Sequence, residues 1–247
     1  MTAALEITDL QAWYGESHIL HGIDLTVAPG EVVTLLGRNG AGRTTLLRAV
    51  MGLTGRRSGA IRIGGVESIG LPTHRIAHLG VGYCPEERGI FASLSAEENL
   101  LLPPALANAA GAMSLDDRAM ALLDEVDLSG FADTITADLP YGRKRALEIA
   151  TTLAMEPELM LLDEPTQGMG HEDVHRVTAL IKKVSQGRTI LMVEHNMNVV
   201  SGICDRISVL QRGAMLAEGS YAEVSKNPQV MQAYMGTADG ELEAGHA

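Results

Sequence analysis

The sequence predicts an α/β fold whose core is split by a helical insertion. A buried strand, a glycine-rich loop and a helix follow one another between Glu31 and Met51. Apolar residues then fall at helical spacing through most of 87–155. Short buried strands alternating with a helix return from Leu159 onward, the first of them all apolar.

Taken in order, Leu5 to Leu10 and Ile19 to Val27 read as strands parted by Tyr14-Gly15. Pro29-Gly30 turns the chain into Glu31 to Gly37, a buried strand of β-branched residues and Leu. Thr44 to Met51 reads as a helix that stops at Gly52. Ala96 to Ala107, Leu115 to Val126 and Leu139 to Met155 follow as helices of the insertion. Leu159 to Leu162 and Thr189 to Val193 are buried strands flanking a helix from Glu172 to Val184. Arg206 to Leu210 and Ala214 to Glu218 close the fold as a hairpin around Arg212-Gly213. The expected division is a core of residues 1–86 and 156–236, an insertion at 87–155, and a small, acidic, disordered tail at 237–247.

With 46% apolar residues the chain buries an ordinary core, and with only 3% aromatics that core rests on aliphatic side chains. Cys84 and Cys204 sit in apolar runs and make no disulfide framework, which fits a reducing compartment. The opening MTAALEITDL lacks a basic, apolar leader. The longest apolar candidate, Leu100 to Leu115, is broken by Pro103, Pro104, Asn108 and Gly111, short of a membrane span. A soluble cytoplasmic chain is expected, working at a membrane only by docking on another protein. The net charge of −12 argues against nonspecific nucleic-acid binding.

Gly37-Arg38-Asn39-Gly40-Ala41-Gly42-Arg43-Thr44-Thr45 matches the phosphate-cradling P-loop pattern except at one position. Glycines let the backbone wrap within hydrogen-bond reach of phosphate oxygens, and the following helix adds its positive end. Thr44 is placed to ligate Mg²⁺. The departure is Arg43, where the pattern has Lys. Arg keeps the charge but presents a longer, planar fork, so tight placement for hydrolysis is in question. The run Leu159-Met-Leu-Leu then delivers Asp163-Glu164 at a strand end, where ligands bind in open α/β sheets. Asp163 suits Mg²⁺ and Glu164 suits a water-activating base.

On these motifs the chain resembles the ATP-binding subunits of ABC transporters over nearly its whole length. The resemblance implies a P-loop NTPase (RecA-like) core with an antiparallel β subdomain and an inserted α-helical subdomain. It implies ATP and Mg²⁺ as ligands, with Glu164, His195 and Arg43 as catalytic residues. Tyr14 sits where the family stacks an aromatic on adenine. Val81 to Glu86 resembles the loop joining core to helical lobe, with Glu86 in place of the usual Gln and a candidate third group at the metal beside Thr44 and Asp163. Leu139-Pro140-Tyr141-Gly142-Arg143 corresponds to the signature segment, which faces nucleotide on a partner chain. Only Leu139 and Gly142 match its consensus, and Gly170 stands where an Asp is frequent. His195 matches the switch histidine.

Within the family, Tyr83 to Phe91, Glu194-His195-Asn-Met and Asn227 to Gly236 are similar to the two ATPases of branched-chain amino acid importers. Which of the two this chain matches stays open. The implied partners are membrane permease subunits, a second ATPase copy or paralogue, and indirectly an external solute-binding protein. The implied location is the cytoplasmic face of the plasma membrane. Two rivals remain: an ABC-type ATPase outside transport, and a catalytically weakened nucleotide-binding module.

His171-Glu172-Asp-Val-His175 has zinc-protease spacing but no evident third ligand, and is read as coincidence. His74 and His78 are read as a solvated helix face.

Overall fold

The computed structural model describes residues 2–87, 89–103 and 114–235. The expected tail at 237–247, and the end of the helix expected at Ala96 to Ala107, lie outside them.

An antiparallel sheet is built from β1 (Leu5–Tyr14), β2 (Ser17–Val27), β4 (Arg56–Ile63) and β5 (Val66–Glu67), in the order β2-β1-β4-β5. Leu5 and Ile7 alternate inward, then the register slips before Leu10, where Asp9 takes a positive φ of 46°. This bulge returns Leu10 and Ala12 to the core face, so the strand runs to Tyr14 rather than ending at Leu10. β4 and β5 were not foreseen: RRSGAIRI carries too much charge to read as a strand, and pairing with β1 decides it.

The second sheet runs β10-β9-β3-β8-β7-β6. It comprises β3 (Val32–Leu36), β6 (Val81–Cys84), β7 (Leu159–Asp163), β8 (Thr189–Val193), β9 (Arg206–Gln211) and β10 (Ala214–Gly219). All its pairings are parallel except β9 with β10. Val81 to Cys84 therefore corrects the expected loop. It is an edge strand beside β7, and only Pro85 and Glu86 continue beyond it.

Residues of the central strands divide by parity between two cores. Val33, Leu35, Leu161, Leu191 and Val193 pack with the antiparallel sheet and α1 (Arg43–Val50). Met160, Leu162, Ile190 and Met192 pack against the helices. Those are α3 (Ala96–Leu101), α4 (Leu115–Glu125), α5 (Tyr141–Leu153) and α6 (His171–Val184). A strand buried on both faces is apolar at nearly every position, which is why these runs are almost continuous, with Thr34 the buried polar residue within β3. The short α2 (Thr73–Ala77) precedes β6. α7 (Met197–Ile203), α8 (Tyr221–Val224) and α9 (Pro228–Met235) complete the described chain.

The helix expected from Leu139 begins at Tyr141, because Pro140 serves as its N-cap with an extended ψ of 155°. The helix expected from Glu172 starts one residue earlier, at His171.

Candidate functional site

Three neighbouring parallel strands, β3, β8 and β7, end at one edge of the sheet. The order of the strands thus brings together three loops that lie far apart in sequence: Gly37 to Gly42, Glu194-His195, and Asp163-Glu164.

The first loop needs its glycines for two different reasons. Gly40 (φ 79°) would point a Cβ into open space, so backbone conformation alone demands glycine there. Gly42 (φ 102°) would set a Cβ 2.7 Å from Leu20 Cδ2, so its lack of a side chain also permits close packing. Gly42 is the N-cap of α1 and supplies no side-chain cap, leaving the first amides of the helix open toward an anion. Arg38, Asn39 and Gly40 are exposed, whereas Gly37, Ala41 and Thr45 are buried.

Arg43 is only 6% exposed. Its Nη2 donates to Glu164 Oε1 at 3.0 Å and to Asn39 Oδ1 at 3.4 Å. Its Nη1 is buried without a hydrogen-bond partner. An open glycine cradle and an unmet cationic donor fit the phosphates of a nucleotide.

Thr44 Oγ donates to Asp163 Oδ1 at 3.0 Å, and Tyr83 OH donates to Asp163 Oδ2 at 3.1 Å. Thr44 and Asp163 form a hard oxygen pair of the type Mg²⁺ prefers. Glu86 is exposed, yet close enough that its charge acts on both Asp163 and Glu164. Burial pushes the Asp163 carboxyl up, Glu86 adds to the rise, and the hydrogen bonds from Thr44 and Tyr83 work against it. Glu164 is also raised, first by burial, while Arg43 and His195 pull it down and Glu86 and Asp163 push it up. A carboxyl held up in this way is suited to accept a proton from water.

Glu164 has a φ of 45°, a left-handed conformation that costs a non-glycine residue roughly 1–2 kcal/mol. His195 Nδ1 lies 3.4 Å from Glu164 Oε2, with the imidazole half exposed. Tyr14 is exposed at the β1–β2 turn. The hydroxyls of Tyr83 and then Tyr14 raise the Arg48 guanidinium above its usual value, against the effect of its burial.

The segment Leu139 to Arg143 packs against the loop that follows the acids. Tyr141 OH donates to the Gln167 carbonyl at 3.2 Å, and a Cβ on Gly142 would sit 2.5 Å from Asp173 Oδ1. Arg143 lies 3.7 Å over the Phe131 ring, Leu139 is buried, and Pro140 is exposed. Glu172 and Asp173 both pair with Arg176, so neither acid of the His171-to-His175 run is drawn toward its histidines. His74 and His78 are exposed on and just beyond α2.

Two supporting residues were missed. Arg145, buried on α5, donates to the carbonyls of Asp163, Glu164 and Pro165. Glu194, fully buried, accepts from the Thr166 amide and hydroxyl and from the amides of His195 and Asn196. Arg145 is the last of three consecutive basic residues, which reads as a solvated helix face, and Glu194 is a charge closing an apolar run, which reads as a strand end.

Residues 20–167 match the family model described as ABC transporter. Residues 214–240 match one described as branched-chain amino acid ATP-binding cassette transporter. The chain is 34% identical to the high-affinity branched-chain amino acid transport ATP-binding protein BraF of Pseudomonas aeruginosa, covering 95% of this chain and 98% of that one. It is 33% identical to the lipopolysaccharide export system ATP-binding protein LptB of Escherichia coli K12, with the same coverage. The ADP conformation of an ATP-binding cassette of an ABC transporter superposes with a TM-score of 0.83 at 22% identity, over 96% of this chain and all of the other. With a P-loop and an acid pair at one sheet edge, a family match over residues 20–167 and relatives of this identity and coverage, the chain is a member of the ABC transporter family of ATP-binding subunits.

Proposed function

We propose that this chain binds ATP with Mg²⁺ and hydrolyses it to drive an importer of branched-chain or other hydrophobic amino acids. The observation that carries the solute class is the match of residues 214–240 to the branched-chain amino acid cassette model, alongside the likeness to BraF. It favours import over the export named for LptB.

In this proposal Gly37 to Thr45 hold the phosphates through backbone amides and Arg43, and Tyr14 stacks on adenine. Thr44 and Asp163 hold Mg²⁺, with Glu86 beside them. The metal, when bound, neutralises charge developing on the β- and γ-phosphate oxygens. Glu164 accepts the proton of the attacking water, and His195 donates to the γ-phosphate. Two ATPase subunits, identical or paralogous, close over two nucleotides, each covered by Leu139 to Arg143 of the other.

An apolar groove lined by Met51, Leu53, Pro85 and Met155 supports docking of a permease segment. Through the permease the chain sits at the cytoplasmic membrane face, and an external solute-binding protein delivers the solute. Among the described residues no helix is long and apolar enough to cross a membrane.

A second proposal, a slow or weakened ATPase, is favoured by one contact. The Arg43–Glu164 ion pair of 3.0 Å draws the P-loop cation onto the base.

The test joins chemistry to transport. Glu164→Gln is expected to bind ATP and release no phosphate. Vesicles carrying the chain with its co-purifying membrane proteins are expected to take up leucine, isoleucine or valine only with ATP. Full turnover in the variant sinks the role of Glu164, and ATP-driven export without uptake sinks the importer.

A further inference from the structure

One guanidinium joins three segments that converge on the chemistry. Arg145 lies on α5, directly after the segment Leu139 to Arg143, and is only 6% exposed. Its Nη2 donates to the Asp163 carbonyl at 3.2 Å and the Glu164 carbonyl at 3.0 Å. Its Nε donates to the Pro165 carbonyl at 3.0 Å. Its Nη1 donates to the Pro85 carbonyl and to Glu148 Oε2, each at 2.9 Å. Four backbone carbonyls, three of them consecutive, thus meet one rigid fork, and a carboxylate one turn along the same helix balances its charge.

Packing alone does not call for this arrangement. Ala146, Leu147 and Ile149 beside it are core residues, and an apolar side chain would fill such a position. A buried ion pair is seldom retained for stability, since hydrophobic replacements often equal or exceed it. Here the donors are committed to the backbone that carries Asp163 and Glu164, and to Pro85, the residue before Glu86. Glu164 sits at a left-handed φ of 45°, a conformation that persists only where its surroundings over-determine it. Its amide is held by the Val193 carbonyl at 3.0 Å and its carbonyl by Arg145.

We propose that Arg145 is a positioning residue for ATP hydrolysis. It fixes the Asp163-to-Pro165 backbone against α5, so that Glu164 moves as one body with the helix that begins at the signature segment and with the Pro85 turn. Displacement of the helical lobe thereby reaches the base directly through a hydrogen-bonded fork. This rests on the proposal above in giving Glu164 the attacking water.

The test uses the full chain in two variants. Arg145→Lys keeps the charge and loses the fork, since an ammonium is a single point donor. Arg145→Gln combined with Glu148→Gln removes both charges, so no unpaired ion is left buried. Both variants are expected to bind ATP at full stoichiometry, with Kd within about threefold of wild type, because the phosphate amides are untouched. Single-turnover phosphate release is expected to fall about 100-fold, the scale of a small misplacement of a catalytic group. Hydrogen exchange over 163–167 is expected to quicken at least about tenfold while α6 stays protected, because only the local clamp is lost.

Wild-type turnover together with wild-type exchange at 163–167 in either variant overturns the proposal. So does faster exchange spread across the whole chain, which marks a merely structural role. If the wild-type chain itself releases no phosphate, hydrolysis is what fails, and the exchange comparison still judges Arg145.

Discussion

Replacing Arg43 by Lys is expected to raise turnover, and the size of the effect follows from how Arg43 and Glu164 meet. Their charged atoms are 3.0 Å apart, with side chains 6% and 10% exposed, so salt screens the pair little. At an effective dielectric near 20, the gross attraction is about 5 kcal/mol. Burial nevertheless keeps the Glu164 carboxyl above its ordinary value despite Arg43. Burial, with the charges of Glu86 and Asp163, therefore outweighs that attraction at the carboxyl, as is common for buried pairs, and what Arg43 imposes is the 3.0 Å contact that engages Oε1. Freeing Oε1 from that contact is expected to raise the rate about tenfold, the equivalent of about 1.4 kcal/mol.

Lysine has no counterpart to the buried, unpartnered Nη1, and its shorter reach loosens the contact with Glu164. Single-turnover phosphate release on purified wild type and Arg43→Lys, with ATP affinity measured in parallel, reads the difference. A rise in the rate constant with affinity unchanged within about threefold is expected, since the backbone amides dominate binding. Equal rates in the two proteins would refute the claim that Arg43 restrains Glu164.

Gly213→Ala is expected to destabilise the fold by about 3 kcal/mol or more in urea denaturation, among the larger effects of a single substitution. A Cβ there would lie 1.9 Å from the Ile19 carbonyl at a φ of 78°. Tyr14→Ala is expected to weaken ATP about fivefold in equilibrium titration, the value of one aromatic stack, with little change in stability. Burial pushes the Glu31 carboxyl up, but the Arg206 guanidinium and the Ala28 amide hold it below its usual value of 4.5. A depressed carboxylate stabilises above its unfolded pKa and loses that contribution as pH falls through the folded one. Glu31→Gln is thus expected to cost about 1 kcal/mol at neutral pH, limited by partial exposure, and the gap to wild type should close below about pH 4.

The sequence discloses the site better than its supports. The P-loop and the acid pair were legible because each needs particular residue types at fixed spacing after an apolar strand. The doubly buried strands β3, β7 and β8 were legible because burial on both faces leaves a near-continuous apolar run, interrupted only by Thr34, Thr189 and the strand-end Asp163. β4 was not, because its pairing partner β1 lies some fifty residues away and its own charge denies it a strand signature. β6 was not, because Gly82 and Tyr83 read as a loop until β7 is laid beside them. Arg145 and Glu194 were invisible as functional residues because what matters is which groups they meet, and those include Pro85 and Asp163, 60 and 18 positions from Arg145, and Thr166, 28 positions from Glu194.

The position of β3 bears on how the chain is made. Both its neighbours, β8 and β9, are contributed by residues more than 150 positions downstream. As the polypeptide leaves the ribosome, the strand that carries the phosphate loop has no partner on either edge until the last quarter of the chain emerges. A nascent chain halted before Thr189 would leave both edges of this largely apolar strand open, the kind of surface that aggregates or recruits chaperones. Nucleotide therefore cannot template the steps of folding that precede the arrival of β8 and β9.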